Sequence, residues 1–201
     1  MESSINKLIE VLRQVQLSLR GVKEPWLVGG SCGLLLHGVP LHAAPRDLDL
    51  YTDSLGATEI HKVLLPYSID HQIEDQSGIY KSILSHYEIN GIHVELVGEF
   101  EVTALGSIYK VEAAFLAEAP SLEIGEVLLN NQDAEALIPA LNVMPLEHEL
   151  LFNVLRNRPD RYEAIAVVLR NRNAELTPIM RELIERNSLD DAVIAQLKEL
   201  L

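Results

Sequence analysis

A single cysteine, Cys32, stands in the 201 residues, so no internal disulfide can form, and no Cys/His spacing of a zinc site is present. Basic residues are scarce: 16 Lys and Arg face 30 Asp and Glu, for a formal net charge of −14. Lys and Arg supply most non-specific affinity for phosphate backbones, so general DNA or RNA binding is excluded, while a local basic groove is still allowed. Long apolar runs are also missing. The longest are a handful of residues, against the roughly 20 needed to cross a bilayer. Residues 1–7 carry no apolar signal-peptide core. A soluble, cytoplasmic protein with no membrane partner is expected. There are no low-complexity tracts and no fixed-period repeat. With 48% hydrophobic residues, the chain is long enough to bury a substantial core.

Hydrophobic periodicity divides the chain. Ile5, Leu8, Ile9, Leu12 and Val15 recur at helical spacing, predicting a helix over 3–20 that stops at Gly21. Trp26-Leu27-Val28 is a short apolar run ending in Gly29-Gly30, as a buried strand entering a tight turn would. A short helix over 31–37 follows, with Ser31 near its N-cap and Gly38 at its end. Leu48, Leu50 and Tyr51 alternate with Asp47 and Asp49, a period-2 strand with acids on one face. A helix is expected over 56–65. Strands over 79–88 and 92–97 flank Asn90-Gly91, a favoured tight-hairpin pair. A further strand is expected over 121–129. From about Pro145 the pattern becomes helical, over 146–156, 162–170, 177–186 and 190–200, with a cap in Ser188-Leu189-Asp190. The expected division is an α/β unit over 1–140 and a helical subdomain over 141–201. The surplus apolar residues of the last two helices either pack that bundle or form a homodimer interface.

The chemistry concentrates in Gly29-Gly30-Ser31, then Asp47-Leu48-Asp49-Leu50, then Val94-Glu95-Leu96. Asp47 and Asp49, at i and i+2 on an extended strand, point the same way, roughly 6.6 Å apart. If the Glu95 strand is their neighbour, a third carboxylate lies roughly 5 Å to the side. Such acids repel each other unless a divalent cation joins them, and hard oxygen donors suit Mg²⁺, with Mn²⁺ as an alternative. Gly29 and Gly30 let a ligand approach the backbone, and the following helix start favours anions. A nucleoside triphosphate could rest there, its metal held by Asp47 and Asp49. Glu95 would act as base or second-metal ligand in an in-line attack by an acceptor hydroxyl. Glu99 and Glu101 compete with Glu95 for that role.

These residues resemble the nucleotidyltransferase superfamily of the polymerase-β type. Closest in character are its small bacterial members, the antibiotic and toxin-type nucleotidyltransferases. The resemblance covers about residues 26–97. It implies an α+β fold, a nucleotidyltransferase-like mixed sheet with flanking helices followed by a C-terminal helical bundle. It also implies phosphate binding at Gly30 and Ser31, metal binding at Asp47 and Asp49, and Glu95 completing the triad. Arg46 occupies a position where such proteins often carry a basic or hydroxyl residue, which makes it a phosphate candidate. Ala44-Pro45-Arg46 lacks the Thr or Ser often found near the Asp-x-Asp strand, and Arg158-Pro159-Asp160-Arg161 lacks a Lys-Asp pair after Arg-Pro.

The expected function is Mg²⁺-dependent transfer of an NMP group from an NTP such as ATP to a hydroxyl of a small molecule, protein or RNA. The alternative is a non-catalytic nucleotide-binding or interaction module, antitoxin-like or regulatory, that keeps the scaffold. The charge of −14 disfavours a polynucleotide acceptor and suits a cationic small molecule, with a protein acceptor equally allowed. Among the other polar residues, His37 and His42 flank the loop before the acidic strand, where loop and helix-end contacts account for them most simply. Lys81 is a further phosphate candidate. Arg156, Arg158, Arg161, Arg170 and Arg172 read best as a solvated helical face, the alternative being that they face the cleft and hold the triphosphate or acceptor.

Overall fold

A computed structural model describes residues 2–120, 141–172 and 176–201. The expected strand over 121–129 lies outside these. Helix α1 (Glu2–Ser18) ends in a 3₁₀ turn, Leu19–Gly21, and strand β1 (Trp26–Gly29) leads directly into helix α2 (Gly30–Leu36). Strand β2 (Asp47–Thr52) and helix α3 (Ser54–Leu64) follow. Next come β3 (Ile73–Ser77), β4 (Tyr80–Ile89), β5 (Ile92–Ala104), β6 (Ser107–Lys110) and the short helix α4 (Ala113–Leu116). Four helices close the chain: α5 (Leu146–Leu155), α6 (Pro159–Arg172), α7 (Pro178–Arg186) and α8 (Asp191–Leu200).

The strands form a mixed six-stranded sheet in the order β1-β2-β5-β4-β3, with β6 also paired to β5. Only β2 and β5 run parallel; the other pairs are antiparallel. The parallel pair is the one that matters chemically, because it sets Asp49 directly opposite Glu95 and Asp47 opposite His93.

Period-2 alternation sorts the side chains into two cores. Leu48, Leu50, Val94 and Leu96 are fully buried against α1 and α3, beside Leu8, Leu12, Ile60 and Leu64. Each such side chain is worth about 1.5–3 kcal/mol relative to exposure. Their neighbours along the strands, Tyr51 and Val97, turn to the opposite face and join the core formed with α5–α8. Asp47, Asp49 and Glu95 share that second face by the same alternation. Met180, Leu183, Val193 and Leu197 from the last two helices are buried in this core, so the apolar surplus there packs against the sheet and α5.

Several local expectations change. The N-cap of α2 is Gly29 rather than Ser31, and it makes no side-chain cap bond. At the far end of the chain, Asp190 does cap α8, accepting from the Ala192 N–H. Strand β5 runs on past Val97, with Glu99 at φ 50 where the β4–β5 register shifts between Lys81 and Ile83. Strands β3 and β6 carry no clear sequence signature. The first is an edge strand with a single apolar residue, Ile73, and that one is exposed.

Candidate active site

The β1–α2 turn depends on the absence of side chains. Gly30 has φ +59, and a Cβ there would lie 1.8 Å from Asp49 Oδ2. A Cβ on Gly29 would meet the Tyr51 ring at 2.7 Å. The two glycines therefore let the turn settle onto the Asp49 carboxylate and the ring behind it. From beneath, the buried Glu149 on α5 accepts the Gly30 N–H through Oε1 at 2.8 Å. The Gly30 amide, expected from sequence to face an incoming anion, is thus already bound to an internal carboxylate. Ser31 Oγ accepts instead from Arg161 Nη2 on α6, at 3.0 Å.

A cleft of about 380 Å³ opens over this turn, and Gly30, Ser31, Asp47, Asp49 and Glu95 all line it. Gly29, buried, does not line it. Arg46 lines a neighbouring cavity of about 310 Å³, which also contains His42 and touches the first cleft at Ser31, Asp47 and Arg161. Glu99 is bound elsewhere, to Lys110 at 3.1 Å and to the Ser54 N–H, and Glu101 sits opposite Lys110 in the sheet. Of the three competing glutamates, Glu95 is the one in the cleft. Lys81 is exposed and does not line it, whereas its neighbour Tyr80 does. His37 bonds the Met144 carbonyl at 2.8 Å, in keeping with a helix-end contact.

The tail arginines divide differently from the expected solvated face. Arg158 pairs with Asp160, Arg170 reaches the Leu200 carbonyl and Arg172 the His37 carbonyl, but Arg156 and Arg161 enter the cleft. Burial, together with the charges of Arg156 and Arg158, pulls the Arg161 guanidinium below its ordinary pKa. That crowding of positive charge favours an anion at this wall. Arg156 also lies 4.8 Å over the Phe152 ring, and Phe152 meets Phe100 edge-on. Tyr80 stacks on Phe100 with centroids 5.8 Å apart, so the cleft has aromatic as well as acidic lining.

The acids are mutually strained. Burial first, then the charges of Asp47, Glu95 and Glu149, push the Asp49 carboxyl up to about 8, against a smaller opposing pull from Arg161. Burial likewise raises Glu95, with Asp47 adding and His86 opposing. A cation placed among these groups reverses that balance. Among the described residues no group of three or more His, Cys, Asp or Glu side chains stands ready to hold a metal ion. Mg²⁺ does not require one, because it takes one or two carboxylates and completes its shell with water and phosphate. The carboxylates that line the cleft are those of Asp47, Asp49, Asp75 and Glu95.

Glu149, Arg156, Arg161 and the aromatic wall had no distinguishing local signal. Glu149 and Arg161 reach the turn across 119 and 130 positions of sequence, respectively.

No protein-family model and no curated protein sequence matches the chain. Solved structures do. A candidate nucleotidyltransferase of Thermotoga maritima superimposes with a TM-score of 0.60 at 22% identity, over 83% of this chain and 94% of that one. The antibiotic-resistance factor ANT(2'')-Ia, in its solution structure, superimposes with a TM-score of 0.51 at 12% identity, over 98% and 97%. With its mixed sheet and flanking helices, this chain has the nucleotidyltransferase-type fold.

Proposed function

We propose that the protein is a Mg²⁺-dependent nucleotidyltransferase that moves an NMP group from a nucleoside triphosphate to an acceptor hydroxyl. The observation that carries this reading is the β2–β5 register. It sets Glu95 opposite Asp49, two residues along from Asp47, on one face of one cleft.

Asp47, Asp49 and Glu95 would hold the cation, which when bound neutralises phosphate oxygens and stabilises in-line displacement. Arg161 and Arg156, in the same cleft, hold the triphosphate, and Arg161 fixes the Ser31 hydroxyl beside it. Gly30 supplies the close approach that a side chain would block. Glu95, half-buried beside the exposed Asp47, takes the proton of the acceptor hydroxyl. The acceptor oxygen then bonds to the α-phosphorus, the bond from the α-phosphorus to the α,β-bridging oxygen breaks, and pyrophosphate leaves with that oxygen.

A cationic small molecule is the acceptor we favour. The net charge of −14 attracts it and repels polynucleotides, and one protein of the same fold is an antibiotic-resistance factor. The test incubates the protein with each α-labelled NTP and Mg²⁺, with an aminoglycoside panel and, separately, a cell extract. Label on a small molecule supports the whole reading. Label on protein or RNA keeps the transferase and replaces the acceptor. Nucleotide binding without transfer to anything replaces the enzyme with a non-catalytic binding module.

A further inference from the structure

The cleft face of the sheet carries a lateral row of residues through the candidate site. Gly29 on β1 pairs with Asp49 on β2, Asp49 with Glu95 on β5, and Glu95 with His86 on β4. Asp70, just before β3, continues the row by contact. Its Oδ1 accepts the His86 backbone N–H at 2.8 Å, and its Oδ2 meets His86 Nδ1. Both oxygens of one carboxylate are therefore committed to one residue.

That clamp fixes the imidazole. A carboxylate oxygen at Nδ1 is an acceptor, so the network assigns the proton to Nδ1 and turns Nε2 back along the row. Nε2 lies 3.9 Å from Glu95 Oε2. On its other side the ring stacks on His93, with centroids 5.2 Å apart and planes at 28°. The ring is thus held by a bidentate carboxylate, a stacked neighbour and its strand.

Glu95 needs such a brace. Its side chain is 37% exposed, has three torsions, and faces the like charge of Asp49 across the strand pair. Among the described residues the Glu95 carboxylate makes no hydrogen bond to another side chain or amide. With the proton on Nδ1, Nε2 is an acceptor like the Glu95 carboxylate, and at 3.9 Å one water that donates to both would join them.

We propose that His86, braced by Asp70, is a positioning residue that holds the Glu95 carboxylate in its working orientation. The inference rests on the proposed transferase reading for its kinetic arm only. Imidazoles clamped by a carboxylate on one nitrogen and facing a functional group with the other are a general means of orienting that group.

The test compares His86→Leu, His86→Gln and His86→Asn with wild type, in two measurements. The Gln amide reaches the position of Nε2, whereas the Asn amide reaches only that of Nδ1. In single-turnover transfer, His86→Leu should lower kcat about 10–100-fold, with KM for the NTP within about twofold. His86→Gln should recover most of the loss, and His86→Asn, which keeps the Asp70 bond, should not. By electron paramagnetic resonance, Mn²⁺ binding to the nucleotide-free protein should weaken about tenfold or more in His86→Leu.

Equal kcat in wild type and His86→Leu, or rescue by Asn rather than Gln, overturns the inference. If the wild type transfers nothing, the enzymatic reading fails, and Mn²⁺ binding decides alone. Unchanged affinity in His86→Leu, or no wild-type binding, then overturns the role of His86. If His86→Leu does not fold, the Gln–Asn comparison decides.

Discussion

The backbone N–H of Gly30, at the cleft wall, donates to the buried Glu149 carboxylate, 2.8 Å away and 119 residues later in the chain. One hydrogen bond thereby ties the C-terminal helices to the turn beneath Asp49. Losing the acceptor leaves this half-buried amide without its protein partner, which costs about 1 kcal/mol or more. Glu149→Ala should be destabilised by at least that amount in urea unfolding. Glu149→Gln keeps an acceptor oxygen and should stay within about 1 kcal/mol of wild type.

Gly30→Ala tests the close approach. Its Cβ would sit 1.8 Å from Asp49 Oδ2, and the φ of +59 is strained for any side chain. We expect about 1–2 kcal/mol of lost stability and displacement of the Asp49 carboxylate. Transfer should fall at least 100-fold, a loss in the range expected when a positioned group is misplaced by about 1 Å. Melting and turnover measured on the same preparation check both.

Arg161→Ala removes the donor to Ser31 and a positive charge from the cleft wall. A charge-assisted contact is worth about 1.5–3 kcal/mol, so the KM for the triphosphate should rise about 10-fold or more. The KM of the acceptor should move little. Steady-state kinetics with each substrate varied in turn separate the two.

His148 gives a pH dependence with a definite sign. It is fully buried, and burial lowers its pKa to about 3 from 6.5, while Nδ1 pairs with the Tyr109 hydroxyl at 2.6 Å. Below pH 6.5 the unfolded chain takes up a proton that the folded chain refuses. Stability from this residue is therefore complete above 6.5 and lost as pH falls towards 3, by up to about 1.4 kcal/mol per pH unit. His148→Asn can still meet the Tyr109 hydroxyl but does not titrate. It should lose less stability than wild type between pH 6.5 and 4, measured by urea unfolding across that range.

Much of this architecture was legible from local pattern. The apolar run ending in Gly29-Gly30, the alternation around Asp47 and Asp49, and Asn90-Gly91 each specify one supersecondary unit through short-range physics, and each stands where expected. Strand β3 escaped because its residues, Glu74, Asp75 and Gln76 among them, are polar; backbone pairing to β4 makes it a strand. The three acids could be nominated by strand period, but their common face depends on β2 lying parallel to β5, a choice no local window encodes. Glu149, Arg161 and the Asp70–His86 pair were less visible still. A buried Glu in an apolar helix and an Arg among five look ordinary until the tertiary fold brings them to the β1–α2 turn.

The central claim is that Asp47 and Asp49 support metal-dependent nucleotidyl transfer. Its most direct test is pyrophosphate release from NTP and acceptor in Mg²⁺, comparing wild type with Asp49→Asn after both are shown to be folded. The account predicts release by wild type, abolished by removing Mg²⁺ and reduced at least 1,000-fold in Asp49→Asn, on the order of the charge-stabilisation losses seen when such groups are deleted. Equal release by the two proteins, or release unaffected by chelation, would contradict it.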